Sequence, residues 1–145
     1  MNNTINGLSI VATPIGNLDD ITFRAVGVLK ECDIIICENP KHSLKLLNKL
    51  GIKKKLIALH DYNEHKIIDQ IKFLLKNKNC VLISDAGSPL ISDPGYNLVQ
   101  YCITNNIKVT SVPGPSSIVS GLQLSGLPMS EFVFFGFVPK SKKKI

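Results

Sequence analysis

The twelve residues Ser84-Asp-Ala-Gly-Ser-Pro-Leu-Ile-Ser-Asp-Pro-Gly95 hold two glycines, two prolines, two aspartates and three serines. Glycine lets a backbone approach a ligand closely, proline fixes the shape of a loop, and carboxylates and hydroxyls supply polar contacts. The segment follows the apolar run 80–83, which reads as a buried strand, and precedes residues 96–103, which have helical spacing. It is therefore expected at the carboxyl end of a strand in an α/β pattern, where open sheets place ligands. The same composition would also serve a well-turned surface connector, so the neighbouring loops have to decide.

Three more polar loops follow apolar runs: 13–20, 38–42 and 113–117. The runs 8–12, 33–37, 56–59, 80–83 and 107–112 read as strands. Helical spacing is expected over 21–30 with Asp20 as N-cap, over 43–50 closed by Gly51, over 64–77 behind Asn63, from Tyr96 onward, and over 116–124. This alternation predicts an α/β domain with a mostly parallel five-stranded sheet and helices on both faces. In such a sheet all four loops share one edge, and a cleft built from several strand ends is the usual α/β ligand site. By placement, Glu38, Asp85 and Asp93 are the candidate general bases, and capping or backbone hydrogen bonding is an equally good account of each. The domain is expected to span 1–124. Gly126-Leu-Pro128 reads as a linker. The aromatic run 131–138 reads as a sixth strand, the first of a second domain missing from this chain, with a basic tail after it.

Composition narrows the function class. The chain has 145 residues, 44% hydrophobic and 19% charged, as expected of one globular domain with a real core. No apolar run approaches the length of a membrane span. The N-terminus lacks a basic region followed by an apolar stretch, so no signal peptide is expected. Cys32, Cys37, Cys80 and Cys102 show no CxxC spacing and sit mostly in apolar runs, which predicts free buried thiols, a cytoplasmic setting and no zinc site. The net charge of +6, carried in part by Lys53 to Lys55 and by the tail 140–144, suits a polyanionic partner such as RNA, although Lys-rich composition alone would also produce it. Dinucleotide and ATP fingerprints are absent, since neither GxGxxG nor GxxxxGK[ST] occurs. There is no GxSxG serine and no HExxH histidine pair.

The loops taken in order resemble the tetrapyrrole-methylase superfamily, and within it the enzymes that methylate small-subunit ribosomal RNA. The resemblance lies in Val11-Ala-Thr-Pro-Ile-Gly-Asn-Leu-Asp-Asp-Ile-Thr22, the loop from Ser84 to Gly95, Pro113-Gly-Pro-Ser116, Ser125-Gly-Leu-Pro128 and Phe134-Phe-Gly-Phe-Val-Pro139, and covers nearly the whole chain. It implies a two-domain enzyme with S-adenosylmethionine as methyl donor in a cleft between the domains. The acceptor it implies is a cytidine 2′-hydroxyl of 16S ribosomal RNA, and the assembly a homodimer. It also implies that Gly87, Ser88 and Pro89 stand in the place of the family's Gly-Asp-Pro donor motif. Ile91, Ser116 and Ser117 match further donor-contacting positions, and Pro14 and Gly16 fall in a loop flanking the cleft. After the second strand the family usually reads Glu-Asp-Thr-Arg-His, where this chain has Glu38-Asn-Pro-Lys-His42. Two other readings stay open: a truncated remnant that folds or binds RNA without catalysis, and a methylase of a tetrapyrrole or other small molecule.

Overall fold

The computed structural model describes residues 6–60 and 62–138. Five parallel strands, β1 (Gly7–Val11), β2 (Ile34–Cys37), β3 (Lys55–Ala58), β4 (Asn79–Ile83) and β5 (Val109–Val112), form one sheet in the order β3-β2-β4-β1-β5. Five helices connect or follow them: α1 (Phe23–Glu31), α2 (Pro40–Lys49), α3 (Glu64–Asn77), α4 (Tyr96–Thr104) and α5 (Ser117–Leu124).

Right-handed crossovers dictate which face each helix covers. The chain moves one way along the sheet from β1 to β3 and the other way from β3 to β5. So α1 and α2 share one face, and α3 and α4 the other. The core confirms this through the two-residue period of the strands. Val11, Ile35, Val81, Ile83 and Val112 pack with Ala25 and Leu29 of α1 and Leu47 of α2. Leu8, Ile34, Ile36, Cys80 and Leu82 pack with Ile68, Ile71 and Leu75 of α3 and Leu98 and Cys102 of α4. Burying each such aliphatic side chain stabilises the fold by about 1.5–3 kcal/mol. All four cysteines are free and buried as expected, and burial pushes the Cys80 thiol up to about 12.

Three local expectations need correction. First, α1 begins later than the apolar spacing suggests. Its N-cap is Thr22, whose hydroxyl accepts from the Ala25 N–H at 3.1 Å, because Asp20 is already committed to a short 3-10 turn, Leu18–Asp20. Second, α2 starts inside the loop expected at 38–42. Asn39 caps it, its Oδ1 accepting from the Lys41 and His42 N–H groups at 3.1 and 3.4 Å, and Pro40 takes the first helical position, where its missing N–H costs nothing. The third concerns the sixth strand expected at 131–138. Those residues form no strand and join no sheet, and they are exposed. A strand needs a hydrogen-bonding neighbour; Phe132 to Phe134 instead border an open groove beside α5, and the chain turns at Gly136 with φ +77°. The basic tail 140–144 lies outside the described residues.

Candidate methyl-donor site

The switch in winding direction falls between β1 and β4. Their loops part there, one toward α1 and the other toward α4 on the opposite face, and such a parting opens a crevice at the strand ends. The two loops are nevertheless tied. Thr13 N–H donates to the Gly87 carbonyl at 2.9 Å and Gly87 N–H to the Thr13 carbonyl at 3.0 Å, an antiparallel bridge just beyond two parallel strands. The Thr13 hydroxyl donates to the Ser84 carbonyl at 3.2 Å, and the Ser84 hydroxyl shares its proton between the Ala86 and Gly87 carbonyls, each at 3.2 Å. Both side chains are buried. Sequence reasoning passed over these two residues, because their role exists only once β1 and β4 are neighbours.

The Ser84–Gly95 loop turns sharply around this tie. Gly87 has φ +79°, and Leu90 and Ser92 are held at φ +75° and +64°, a conformation that L side chains adopt at a cost. A Cβ at Gly87 would stand 3.3 Å from the Ile15 side chain. With its N–H and C=O both committed, Gly87 contributes shape and close approach rather than free backbone donors. The Ser88 hydroxyl reaches the Pro115 carbonyl at 3.4 Å and so joins the loop to the one after β5.

The residues expected to contact a donor fall in three places. Ser88, Pro89 and Ile91, with Leu90, line a cleft of about 210 Å³ whose other side is Ile10, Ala12 and the end of β5 from Ser111 to Pro113. Pro14 is buried in a small crevice of about 40 Å³ on the α2 side, with Thr13, His42, Ser43, Ser84 and Asp85. Ser116 is the N-cap residue of α5, and Ser117 lines an apolar groove of about 370 Å³ between α5 and Phe132 to Phe134. Gly16 is exposed, and a Cβ there would meet nothing within 4 Å. Residues 131–138 also reach the central loop, since a Cβ on Gly136 would lie 3.7 Å from the Ser92 hydroxyl.

Of the candidate bases, Asp85 and Asp93 lie close enough to influence each other. Burial pushes the Asp93 carboxyl above its ordinary value, hydrogen bonding with Ser84 opposes that, and the neighbouring Asp85 charge adds to it. Asp85 turns a buried Oδ1 into the structure with no hydrogen-bond partner among the described residues. Asp85 also lines the small crevice beside Pro14, which exceeds the roughly 10–15 Å³ that one water needs. Glu38 is half-buried at the end of β2, one residue before the cap of α2. A carboxyl whose folded pKa is raised makes the fold less stable as pH climbs from the ordinary value near 3.8 through the raised one. Asp93→Asn is therefore expected to flatten that stretch of a urea-midpoint profile and to leave the profile below pH 3 unchanged. An unaltered slope would contradict the burial argument.

The far end of the loop is held by an element that sequence reasoning did not connect to it. Gly95 is the N-cap of α4 and has no side chain to offer. The buried Glu64 carboxylate, from the first turn of α3, takes over. It accepts from Asn97 N–H at 3.0 Å, Asn97 Nδ2 at 2.8 Å and Leu98 N–H at 3.4 Å.

The profile of the tetrapyrrole (corrin/porphyrin) methylases matches residues 7–143. The chain belongs to the tetrapyrrole methylase family. Among its relatives, the ribosomal RNA small subunit methyltransferase I of Thermotoga maritima is 49% identical over 138 residues, 94% of this chain and 62% of that protein. The protein of the same name from Rickettsia prowazekii is 51% identical over 144 residues, 97% of this chain and 51% of its own length. Another from Escherichia coli O157:H7 is 44% identical over 142 residues, 97% and 50% respectively. The chain thus spans about half to three-fifths of these relatives. Two solved structures share the fold. The uroporphyrin-III-C-methyltransferase of Thermus thermophilus superposes with a TM-score of 0.60 at 21% identity, covering 87% of this chain and 54% of that one. A diphthine synthase superposes with a TM-score of 0.63 at 18% identity, covering 83% and 49%.

Where the resemblance expects Asp after β2, this chain has Asn39. Asn39 spends its side-chain oxygen on two α2 N–H groups. Asn and Asp cap helices about equally well, so the exchange preserves this local structure.

Proposed function

We propose that the chain forms the donor-binding part of an S-adenosylmethionine-dependent methyltransferase whose acceptor is the 2′-hydroxyl of a cytidine in small-subunit (16S) ribosomal RNA. The observation that carries this reading is the tied loop at the β1/β4 switch, in a chain about half identical to proteins named ribosomal RNA small subunit methyltransferase I. The cleft beside the loop fits one side of the donor. Ile10, Ala12 and Leu90 offer an apolar floor for a flat base, and Ser88 and Ser111 offer hydroxyls. At about 210 Å³ it falls short of the roughly 300 Å³ at which ligand pockets begin, as one wall of a larger site would.

S-Adenosylmethionine, when bound, brings an activated methyl group together with its leaving group. The task left to this chain is alignment and handling of the acceptor proton. Ser88, Pro89 and Ile91 shape the donor wall, and the ties through Thr13 and Ser84 keep it from relaxing. Asp85 and Asp93, on the same loop, are the candidate bases for the ribose hydroxyl proton, and burial raises the Asp93 carboxyl above its ordinary value. On this reading residues 1–124 form the donor domain and 125–145 the junction to a second one, in a cytoplasmic homodimer.

Nucleoside mass spectrometry of 16S RNA from strains with and without the gene tests the proposal. A single 2′-O-methylcytidine should disappear with the gene. RNA identical in both strains would refute the reading and leave a small-molecule acceptor or a non-catalytic remnant.

A further inference from the structure

The positive charge of this chain is concentrated in two places. Six of its seventeen basic residues fall between Asn39 and His60, a stretch with no Asp or Glu that comprises α2, β3 and the turn between them. Four more lysines fall in the tail 140–144, and the remaining residues are net acidic. Within α2, Lys41, Lys45 and Lys49 recur every four residues. They line the exposed side of the helix, opposite Ser43, Leu46 and Leu47, which face the core. Successive lysines rise about 6 Å along the axis. Lys53 is also exposed, in the turn beyond the helix end.

Direction matters as much as charge. The first turn of α2 stands at the loop edge of the sheet, where His42 and Ser43 line the same crevice as Asp85. The lysine row thus begins on the turn of α2 that borders this crevice and runs along the exposed side of the helix away from it. We infer that this row is the docking track for the RNA backbone, with Lys41 and Lys45 taking phosphates next to the nucleotide presented to Asp85. The inference rests on the RNA acceptor proposed above and locates its surface. Lysine suits this work, since a phosphate run needs mobile point charges rather than a fixed fork.

A structural alternative exists for only part of the cluster. Lys55 lies on β3, an edge strand, and edge lysines discourage pairing with other chains. Lys41 and Lys45 are on a helix and have no edge to protect. Lys49 pairs with Asp19 on the neighbouring 3-10 turn, which anchors it beside the track and weakens its claim on a phosphate.

The test is binding of a fluorescent single-stranded RNA oligomer to the chain, measured by anisotropy across a salt series. Lys41→Gln/Lys45→Gln should lower the slope of log affinity against log salt by about 1.4, at roughly 0.7 per phosphate on a single strand, with affinity down about tenfold near physiological salt. Lys30→Gln/Lys76→Gln, at exposed positions in α1 and α3, removes the same charge elsewhere and should change the slope by less than half as much. Circular dichroism establishes that both variants are folded. Equal slopes in the two pairs would overturn the inference and mark a diffuse charge effect. The two proposals separate cleanly. Loss of the 16S methyl mark with the gene, but no dependence of RNA binding on Lys41 and Lys45, defeats the track alone. RNA held by the track without any methyl mark defeats the acceptor assignment alone.

Discussion

Gly95→Ala is expected to destabilise the chain by about 2–4 kcal/mol and to lower its melting temperature by about 10 °C. Two independent costs add. The backbone at Gly95 has φ +121°, which residues with a Cβ rarely adopt. The new methyl group would also stand 2.9 Å from Leu82 Cδ2 and 3.1 Å from Leu90 Cδ2. Leu82 is 2% exposed in the core beneath α4, so it has little room to retreat. Gly16→Ala is the matched comparison, a glycine in another strand-end loop whose Cβ would meet nothing within 4 Å. Its effect should stay within about 0.5 kcal/mol. Urea unfolding of both variants checks the contrast, and similar midpoints would mean that the Ser84–Gly95 loop is not held as described.

The second large effect is expected at Glu64. Its carboxylate, 7% exposed, serves the N-terminus of α4 through three hydrogen bonds while standing in the first turn of α3. Negative charge is favoured at both helix starts. Glu64→Ala strands the half-buried Asn97 donors and the buried Leu98 N–H, and should cost about 2–4 kcal/mol. Glu64→Gln keeps one acceptor but turns an amide N–H₂ toward donors, and should cost roughly half as much. Hydrogen exchange locates the damage. Protection should fall in the first turn of α4 and in the Ser84–Gly95 loop, 20 or more residues away in sequence. Loss confined to the start of α3 would reduce Glu64 to an ordinary helix-end residue.

The alternation of apolar runs with 3.6-residue spacing is enough to place the five strands and five helices among the described residues, because each of those signals is local. Gly51 closed α2 as expected, and its φ of +66° explains why glycine stands there. Choices between equivalent local signals came out less well. Asp20 and Thr22 can both cap a helix, and the 3-10 turn that settles the matter was not evident from spacing. Asn39-Pro40 is a good helix start in its own right, yet polar composition made it read as loop. Alternating aromatics at 131–138 mimic a strand, but a strand exists only where a neighbour accepts its hydrogen bonds. At the site, the loops were legible and their partners were not. Thr13, Ser84 and Glu64 work across 33 to 74 residues of chain, through adjacencies created by the order β4-β1-β5 and the α3/α4 pairing. Those same adjacencies separate Pro14, Ser88 and Ser117 into different cavities, although one donor was expected to touch all three.

The central claim is that the Ser84–Gly95 loop and the end of β5 form one wall of a methyl-donor site. Titration of the ¹⁵N-labelled chain with S-adenosylmethionine to millimolar concentration, followed by amide chemical shifts, tests it most directly, because this method registers even weak binding to a single wall. The account predicts saturable shifts at Ser88, Leu90 and Ile91 and at Ser111 and Val112, with β3 unmoved. Shifts that never rise above those given by adenosine-free buffer, or that gather on β3 or the outer face of α3, would contradict it.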